Sequence, residues 1–249
     1  MEASLRIRRF DPGRSPDSRW QEYRVGIQPG DVVLTVLHRI QDEIDASLAF
    51  RYACRGAICG SCAIRINGSA GLACKTRIDR IVPDRGPIVL EPLLNAPVVK
   101  DLVIDQEPFF REIRRARPWL IGASRRAPDD PLDYAAGMNA QEYDEWNRAA
   151  VCIRCLSCFS DCPKRAQDQG FIGPEACVDI YKRVYDVRDG EARSRLERAS
   201  GPDGVFDCDR HGVCVKVCPK DVRPMRAILF LQDLIKGERG AGRGKNSAP

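Results

Sequence analysis

The spacing of the cysteines restricts this chain more than any other feature. Twelve of them fall into two groups along 249 residues. Cys54, Cys59, Cys62 and Cys74 stand in the first third. Cys152, Cys155, Cys158, Cys162, Cys177, Cys208, Cys214 and Cys218 stand towards the end. In a reducing compartment disulfides are rare, and thiols clustered this way bind metal. The cysteine-free stretch between the groups predicts two domains, 1–105 and 106–236. The Gly-rich, polar remainder, 237–249, reads as a disordered basic tail.

The first group reads C-x4-C-x2-C, with Cys74 after eleven more residues. That is the plant-type arrangement for a [2Fe–2S] cluster. A zinc loop is the competing reading, although this is not a usual zinc spacing. Gly56, Gly60 and Ser61 suit a wrapped loop, because small residues let backbone N–H groups approach sulfides and raise the reduction potential.

In the second group, Cys152-x2-Cys155-x2-Cys158-x3-Cys162-Pro163 follows the bacterial dicluster run, whose fourth cysteine serves the other cluster. A second, altered run follows: Cys208-x5-Cys214-x3-Cys218-Pro219. Aligned on their Cys-Pro ends, the runs place His211 where a second cysteine would stand. Crossing then assigns Cys152, Cys155, Cys158 and Cys218 to a [4Fe–4S] cluster. Cys162, Cys208 and Cys214 supply only three thiolates, which suits [3Fe–4S]. His211 either ligates a fourth iron or stands beside the cluster, where it can serve proton delivery. Cys177 lies outside both runs and reads as a small buried apolar residue. Crossed ligands would staple the domain, which should unfold without iron.

The intervening sequence predicts an α+β architecture. Leu5 and Ile7, then Tyr23, Val25 and Ile27, alternate with polar residues or glycine as strands do. Val33, Leu37, Ile40 and Ile44 mark one face of a helix that opens after Pro29-Gly30-Asp31. Ile64 and Ile66 lead into the hairpin signal Asn67-Gly68, and 88–90 read as a last strand. Together these describe a β-grasp sheet. Helices are expected over 140–148, 175–184 and from Pro224 through Ile235, so the second domain is all-α.

Several function classes fall away. Net charge is +5, but the basic residues are scattered among nearly as many acids and aromatics are few, which excludes a nucleic-acid groove. No apolar run approaches the ~20 residues of a membrane span, and the N-terminus lacks a secretory pattern. The chain is therefore expected in the cytosol, with membrane contact only through a partner. The stretch 239–246 imitates a phosphate loop but has Arg239 at the first glycine position and Asn246 at the Ser/Thr position. Three function classes remain. They are a respiratory electron-transfer subunit, an electron-transfer subunit serving another flavoprotein or a soluble acceptor, and a zinc-stabilised interaction module.

The chain resembles the iron–sulfur subunits of succinate dehydrogenase and fumarate reductase over nearly its whole length. The resemblance rests on Cys54-Arg55-Gly56-Ala57-Ile58-Cys59-Gly60-Ser61-Cys62, Asn67-Gly68 and Leu72-Ala73-Cys74. It continues through Pro97-Val98-Val99-Lys100-Asp101-Leu102-Val103, Phe171-Ile172-Gly173-Pro174, residues 186–189 and the two dicluster runs. It implies a β-grasp [2Fe–2S] ferredoxin-like domain followed by a helical ferredoxin domain. It also implies a flavoprotein partner with covalent FAD, where succinate and fumarate interconvert, and membrane anchor subunits that help form a quinone site. Electrons would pass between FAD and quinone through [2Fe–2S], [4Fe–4S] and [3Fe–4S]. The subunit would lie peripherally on the cytoplasmic face of the inner (plasma) membrane and hold no catalytic residue of its own. One departure stands out: tryptophans that ubiquinone-type members carry shortly after the first Cys-Pro are replaced by Lys164-Arg165-Ala166-Gln167-Asp168, and their histidine after the first cysteine of the second run by Asp209. Pro163 matches. The quinone, menaquinone or ubiquinone, is then expected near Pro163, Lys164, Arg165 and His211. Nothing in the sequence sets the direction of the reaction.

Overall fold

The structure is a computed structural model that describes residues 2–83, 86–122, 139–186 and 188–237. The expected tail, apart from Gly237, and the phosphate-loop imitation lie outside the described residues.

The N-terminal part is built on alternation. In β1 (Glu2–Arg9), Ala3, Leu5, Ile7 and the stem of Arg9 turn inward. This strand pairs antiparallel with β2 (Arg19–Gly26) over its full length, Leu5 opposite Tyr23. α1 (Val33–Glu43) buries Val33, Leu34, Val36, Leu37 and Ile40 against the sheet. Ile44, expected on that face, is instead 52% exposed, because the helix ends at Glu43 and the backbone leaves helical geometry at residue 44. β3 (Ala63–Ile66) and β4 (Ser69–Leu72) form the expected hairpin. Asn67 and Gly68 both take positive φ, 48° and 81°, as a tight two-residue turn requires. β5 (Ile88–Glu91) enters between the hairpins, parallel to β1 and antiparallel to β3. The order β2-β1-β5-β3-β4, with one helix across it, is a β-grasp.

A short pair, β6 (Val98–Lys100) and β7 (Val103–Ile104), leads out of this sheet. Between them the buried carboxylate of Asp101 accepts from Arg9 Nε at 2.9 Å and from the backbone N–H groups of Phe10 and Ala49. That hub ties the exit of the first domain to its first strand.

The remainder is helical: α2 (Glu107–Ala116), α3 (Ala140–Ala150), α4 (Ser157–Ser160), α5 (Pro163–Gln167), α6 (Pro174–Tyr185), α7 (Ala192–Ser200), α8 (Val213–Lys216) and α9 (Pro224–Ile235). α5, α6 and α9 each open on proline, whose fixed φ and missing N–H cost nothing at a first helical position. α6 and α9 carry the core with Cys177, Ile180, Ile228 and Leu231, all wholly buried. Tyr181 meets Phe230 edge to face at 5.2 Å.

Candidate functional site

The first four cysteines gather on the loop between α1 and β3 and at the end of β4. Arg55, Ala57 and Gly60 take positive φ, and this alternation turns successive N–H groups to the inside of the loop. Cys54 Sγ accepts from the backbone N–H of Gly56 at 3.4 Å and of Ile58 and Cys59 at 3.3 Å each. These donors, that of Cys59 foremost, favour the thiolate and pull its pKa down to about 6. The N–H of Cys54 in turn donates to Cys59 Sγ at 3.5 Å, and that of Cys74 to Cys62 Sγ at 3.4 Å. Burial, with the repulsion of Cys74 and Cys59, pushes the Cys62 thiol up to about 12. A loop that cradles negative sulfur suits a cationic metal cluster.

The other runs surround two cavities. Cys152, Cys155, Cys158 and Cys218 line one, which holds about 380 Å³ of space free of protein atoms and open in part to solvent. Cys162, Cys208 and Cys214 line the other, of about 310 Å³, together with Pro163, Lys164 and His211. Each cavity thus takes a thiol from the opposite run. The backbones repeat as the thiols do. Arg154 and Leu156, with φ of 53° and 65°, precede α4; Arg210 and Gly212, with φ of 61° and 72°, precede α8. His211 sits in this repeat at the place of Cys155. Burial pushes Cys152 and Cys214 up to about 12 and holds Cys158 well above the usual thiol range. Thiols so placed ionise only beside a strong cation, and metal coordination deprotonates them outright. Among the described residues no three His, Cys, Asp or Glu side chains gather at one point as a single ion requires. The seven thiols line the walls of the two cavities.

Gly60 brings the first loop into backbone contact with the first cavity. A β-carbon there would lie 2.9 Å from Cα and Cβ of Cys155. Nearby, Lys75 Nζ donates to the Pro219 carbonyl at 3.1 Å, and Asp161 accepts from the Ala70 N–H at 2.7 Å.

Of the residues expected near a quinone, Pro163, Lys164 and His211 line the second cavity; Arg165 does not. Only 2% of Arg165 is exposed. It donates to the carbonyls of Gln169 and Phe171, and its guanidinium lies 4.6 Å from the Phe159 ring and 3.8 Å from Glu112. α5 turns this side chain into the core, an orientation a run of polar residues does not disclose. Cys177 is wholly buried on α6, where Cys208, Cys214 and Cys162 add to the burial that pushes its thiol up.

Sequence reasoning missed a buried acidic pair. Glu175 lines the first cavity, and neither of its carboxyl oxygens receives a hydrogen bond. Asp179, one turn on, pairs with Lys182 at 2.9 Å and Arg154 at 3.2 Å. Burial, then the neighbouring Asp179 carboxylate, pushes the Glu175 carboxyl well above the usual range. The α6 N-terminus opposes this by at most ~2 kcal/mol. Desolvating an ion costs several kcal/mol, so burial prevails. The available signal was two acids four residues apart interrupting an apolar helix face.

Comparison with known proteins bears on the same regions. Residues 4–111 match the family described as "2Fe-2S iron-sulfur cluster binding domain", and residues 145–219 the "4Fe-4S dicluster domain". The fumarate reductase iron-sulfur subunit of Mycobacterium tuberculosis is 35% identical over 225 residues, 90% of this chain and 89% of the relative. The succinate dehydrogenase iron-sulfur subunit of Paracoccus denitrificans is 31% identical over 241 residues, 94% and 90% of the two chains. Among solved structures, a chain of the Mycobacterium smegmatis Sdh1 complex in the apo form superposes with a TM-score of 0.81. It is 25% identical, and the match covers 96% of this chain and 97% of that one.

Proposed function

Because the chain belongs to the iron–sulfur subunits of succinate dehydrogenase and fumarate reductase, we propose that it carries electrons between the FAD of a flavoprotein subunit and a membrane quinone. Cys54, Cys59, Cys62 and Cys74 would hold [2Fe–2S]; Cys152, Cys155, Cys158 and Cys218, [4Fe–4S]; Cys162, Cys208 and Cys214, [3Fe–4S]. When bound, such clusters take up and release single electrons, which links a two-electron flavin to a quinone. The observation that carries this reading is the crossed lining of the two cavities, each completed by a thiol from the other run.

Contacts among the protein's own residues support that order. Gly60 joins the first loop to the wall at Cys155. Pro174 borders the second cavity and Glu175 the first, so the start of α6 stands between them. At the far end, Pro163, Lys164 and His211 are proposed as quinone contacts, completed by membrane anchor subunits. Arg165 is withdrawn from that set because its side chain is buried in the core, away from the cavity, with Nη1 donating to the carbonyls of Gln169 and Phe171. No helix of the described residues is long and apolar enough to cross a membrane, so the anchors would hold the subunit at the cytoplasmic face.

The test is purification with native partners. The reading expects a covalent-FAD flavoprotein in the complex, acid-labile sulfide and about nine iron atoms per chain. Assays of succinate oxidation and fumarate reduction against menaquinone and ubiquinone analogues give the direction. Stoichiometric zinc without sulfide would overturn the proposal. A flavoprotein inactive on both dicarboxylates would move the chain to another electron-transfer system.

A further inference from the structure

The hairpin β3–β4 carries two thiols of the first set at its base, since Cys62 immediately precedes β3 and Cys74 follows β4 by two residues. The N–H groups of Ala73 and Cys74 donate to the carbonyl and Sγ of Cys62 at 3.1 and 3.4 Å, so both thiols move with the hairpin. β4 is an edge strand, and Ala70 within it is buried. A buried N–H that the sheet leaves unpaired needs an acceptor from elsewhere. Asp161 supplies it. One carboxylate oxygen accepts from the Ala70 N–H at 2.7 Å; the other accepts from the Ser160 hydroxyl at 2.9 Å and faces Arg65 Nε at 3.6 Å. Ser160 Oγ accepts in turn from the Leu94 N–H at 2.9 Å, which fixes the hydroxyl and with it the carboxylate. Asp161 ends α4, between Cys158, which lines the first cavity, and Cys162, which lines the second. One nearly buried side chain thus joins the hairpin of the first thiol set to the segment that gives a thiol to each of the others. The Lys75 tie to the Pro219 carbonyl is exposed and rides on a flexible stem, so it can follow a displacement.

We propose that Asp161 is a positioning residue for electron transfer: by accepting from the Ala70 N–H it fixes the separation between the [2Fe–2S] site and the [4Fe–4S] site. Tunnelling between two clusters falls exponentially with their separation, so a hairpin free to lift from α4 would slow the step between them. The contact at Gly60 sets how closely the first loop can approach Cys155, but a steric stop does not hold the two together. A directional hydrogen bond does. The inference rests on the reading of these thiol sets as [2Fe–2S] and [4Fe–4S] sites.

The experiment uses the intact complex, with both clusters reduced, and reads their magnetic dipolar coupling by pulsed electron paramagnetic resonance. That coupling depends on the inverse cube of the separation and not on turnover. Asp161→Ala is expected to lose the single narrow coupling of the parent for a weaker and broader one, and to slow reduction of [4Fe–4S] after rapid mixing with succinate. Asp161→Asn keeps an acceptor at the same reach and should restore the parent coupling. Should the alanine variant fail to assemble, Asp161→Ser, whose hydroxyl is too short to span the same gap, supplies the same comparison. A parent-like coupling in the alanine or serine variant, with only a lowered melting temperature, would make Asp161 a structural tie and overturn the proposal. An asparagine variant as altered as the alanine one would put the role in the charge facing Arg65 and overturn it as well. A parent complex without two reducible cluster signals overturns the reading of the thiol sets, and this inference falls with it.

Discussion

Single residues decide what each part of the site tolerates, and Cys177 and Gly60 illustrate two different reasons. Cys177 is buried near the thiols of the second cavity yet does not line it. Cys177→Ala is expected to retain the parent iron content and cost about 1 kcal/mol for one small group removed from a packed core. Cys177→Ser costs about 1–3 kcal/mol, because a buried hydroxyl needs a partner. Iron analysis with thermal unfolding of the complex reads both, and lost iron in the alanine variant would make Cys177 a ligand. Gly60 meets both a positive φ of 75° and the wall at Cys155, whereas Gly30, with a φ of 92°, has nothing within 4 Å of the place a β-carbon would take. Gly30→Ala should carry only left-handed strain, about 1–2 kcal/mol, which lowers the apparent melting temperature by roughly 2–8 °C. Gly60→Ala should fall further and alter the [4Fe–4S] spectrum, since the loop cannot seat without moving Cys155.

Elements were legible in the sequence where periodicity and packing agree. β1 and the β3–β4 hairpin follow alternation and a turn signal, and α6 and α9 open at prolines. α4 and α8 were not legible, because single turns of four residues carry no period. They are fixed by positive φ at Arg154, Leu156 and Arg210, residues that do not advertise it, and at Gly212, which does. The cysteine groups were legible because their chemistry depends on spacing; the Glu175–Asp179 pair and the burial of Arg165 depend on side-chain direction. α4 also relies on a distant residue. The Asn95 amide donates to the carbonyls of Phe159, Ser160 and Cys162 at 2.8, 2.9 and 3.3 Å, two hydrogens shared among three acceptors. Asn95→Ala removes that cap and should cost about 1–2 kcal/mol. Asn95→Asp should cost more by setting a carboxylate against carbonyl oxygens. The [3Fe–4S] signal should be the first to weaken on heating, because Cys162 loses its brace. An unchanged order of cluster loss would count against this role.

At the scale of the molecule the two halves hold together by different means. The first half has a continuous apolar core, with Leu5, Ile7, Leu90, Ile88 and Ile40 all at 0% exposure, and its thiols sit on a loop at the edge. In the second half, α4 and α8 are one-turn pieces that carry Cys158 and Cys214, and Cys162 immediately precedes the one-turn α5; apart from Phe159 of α4 they bury few large apolar side chains, and their cysteines line the cavities. Metal binding free energy then becomes folding free energy for the second half and much less so for the first. Removing iron with a chelator under reducing conditions should therefore unfold residues 145–235 while the sheet of residues 2–104 persists. Hydrogen exchange read peptide by peptide measures this directly, with protection lost across α4 to α9 and kept in β1, β2 and α1. Equal loss of protection in both halves would mean that the domains fold as one unit through the Gly60, Asn95 and Asp161 contacts, and the metal would then be a staple for the whole chain.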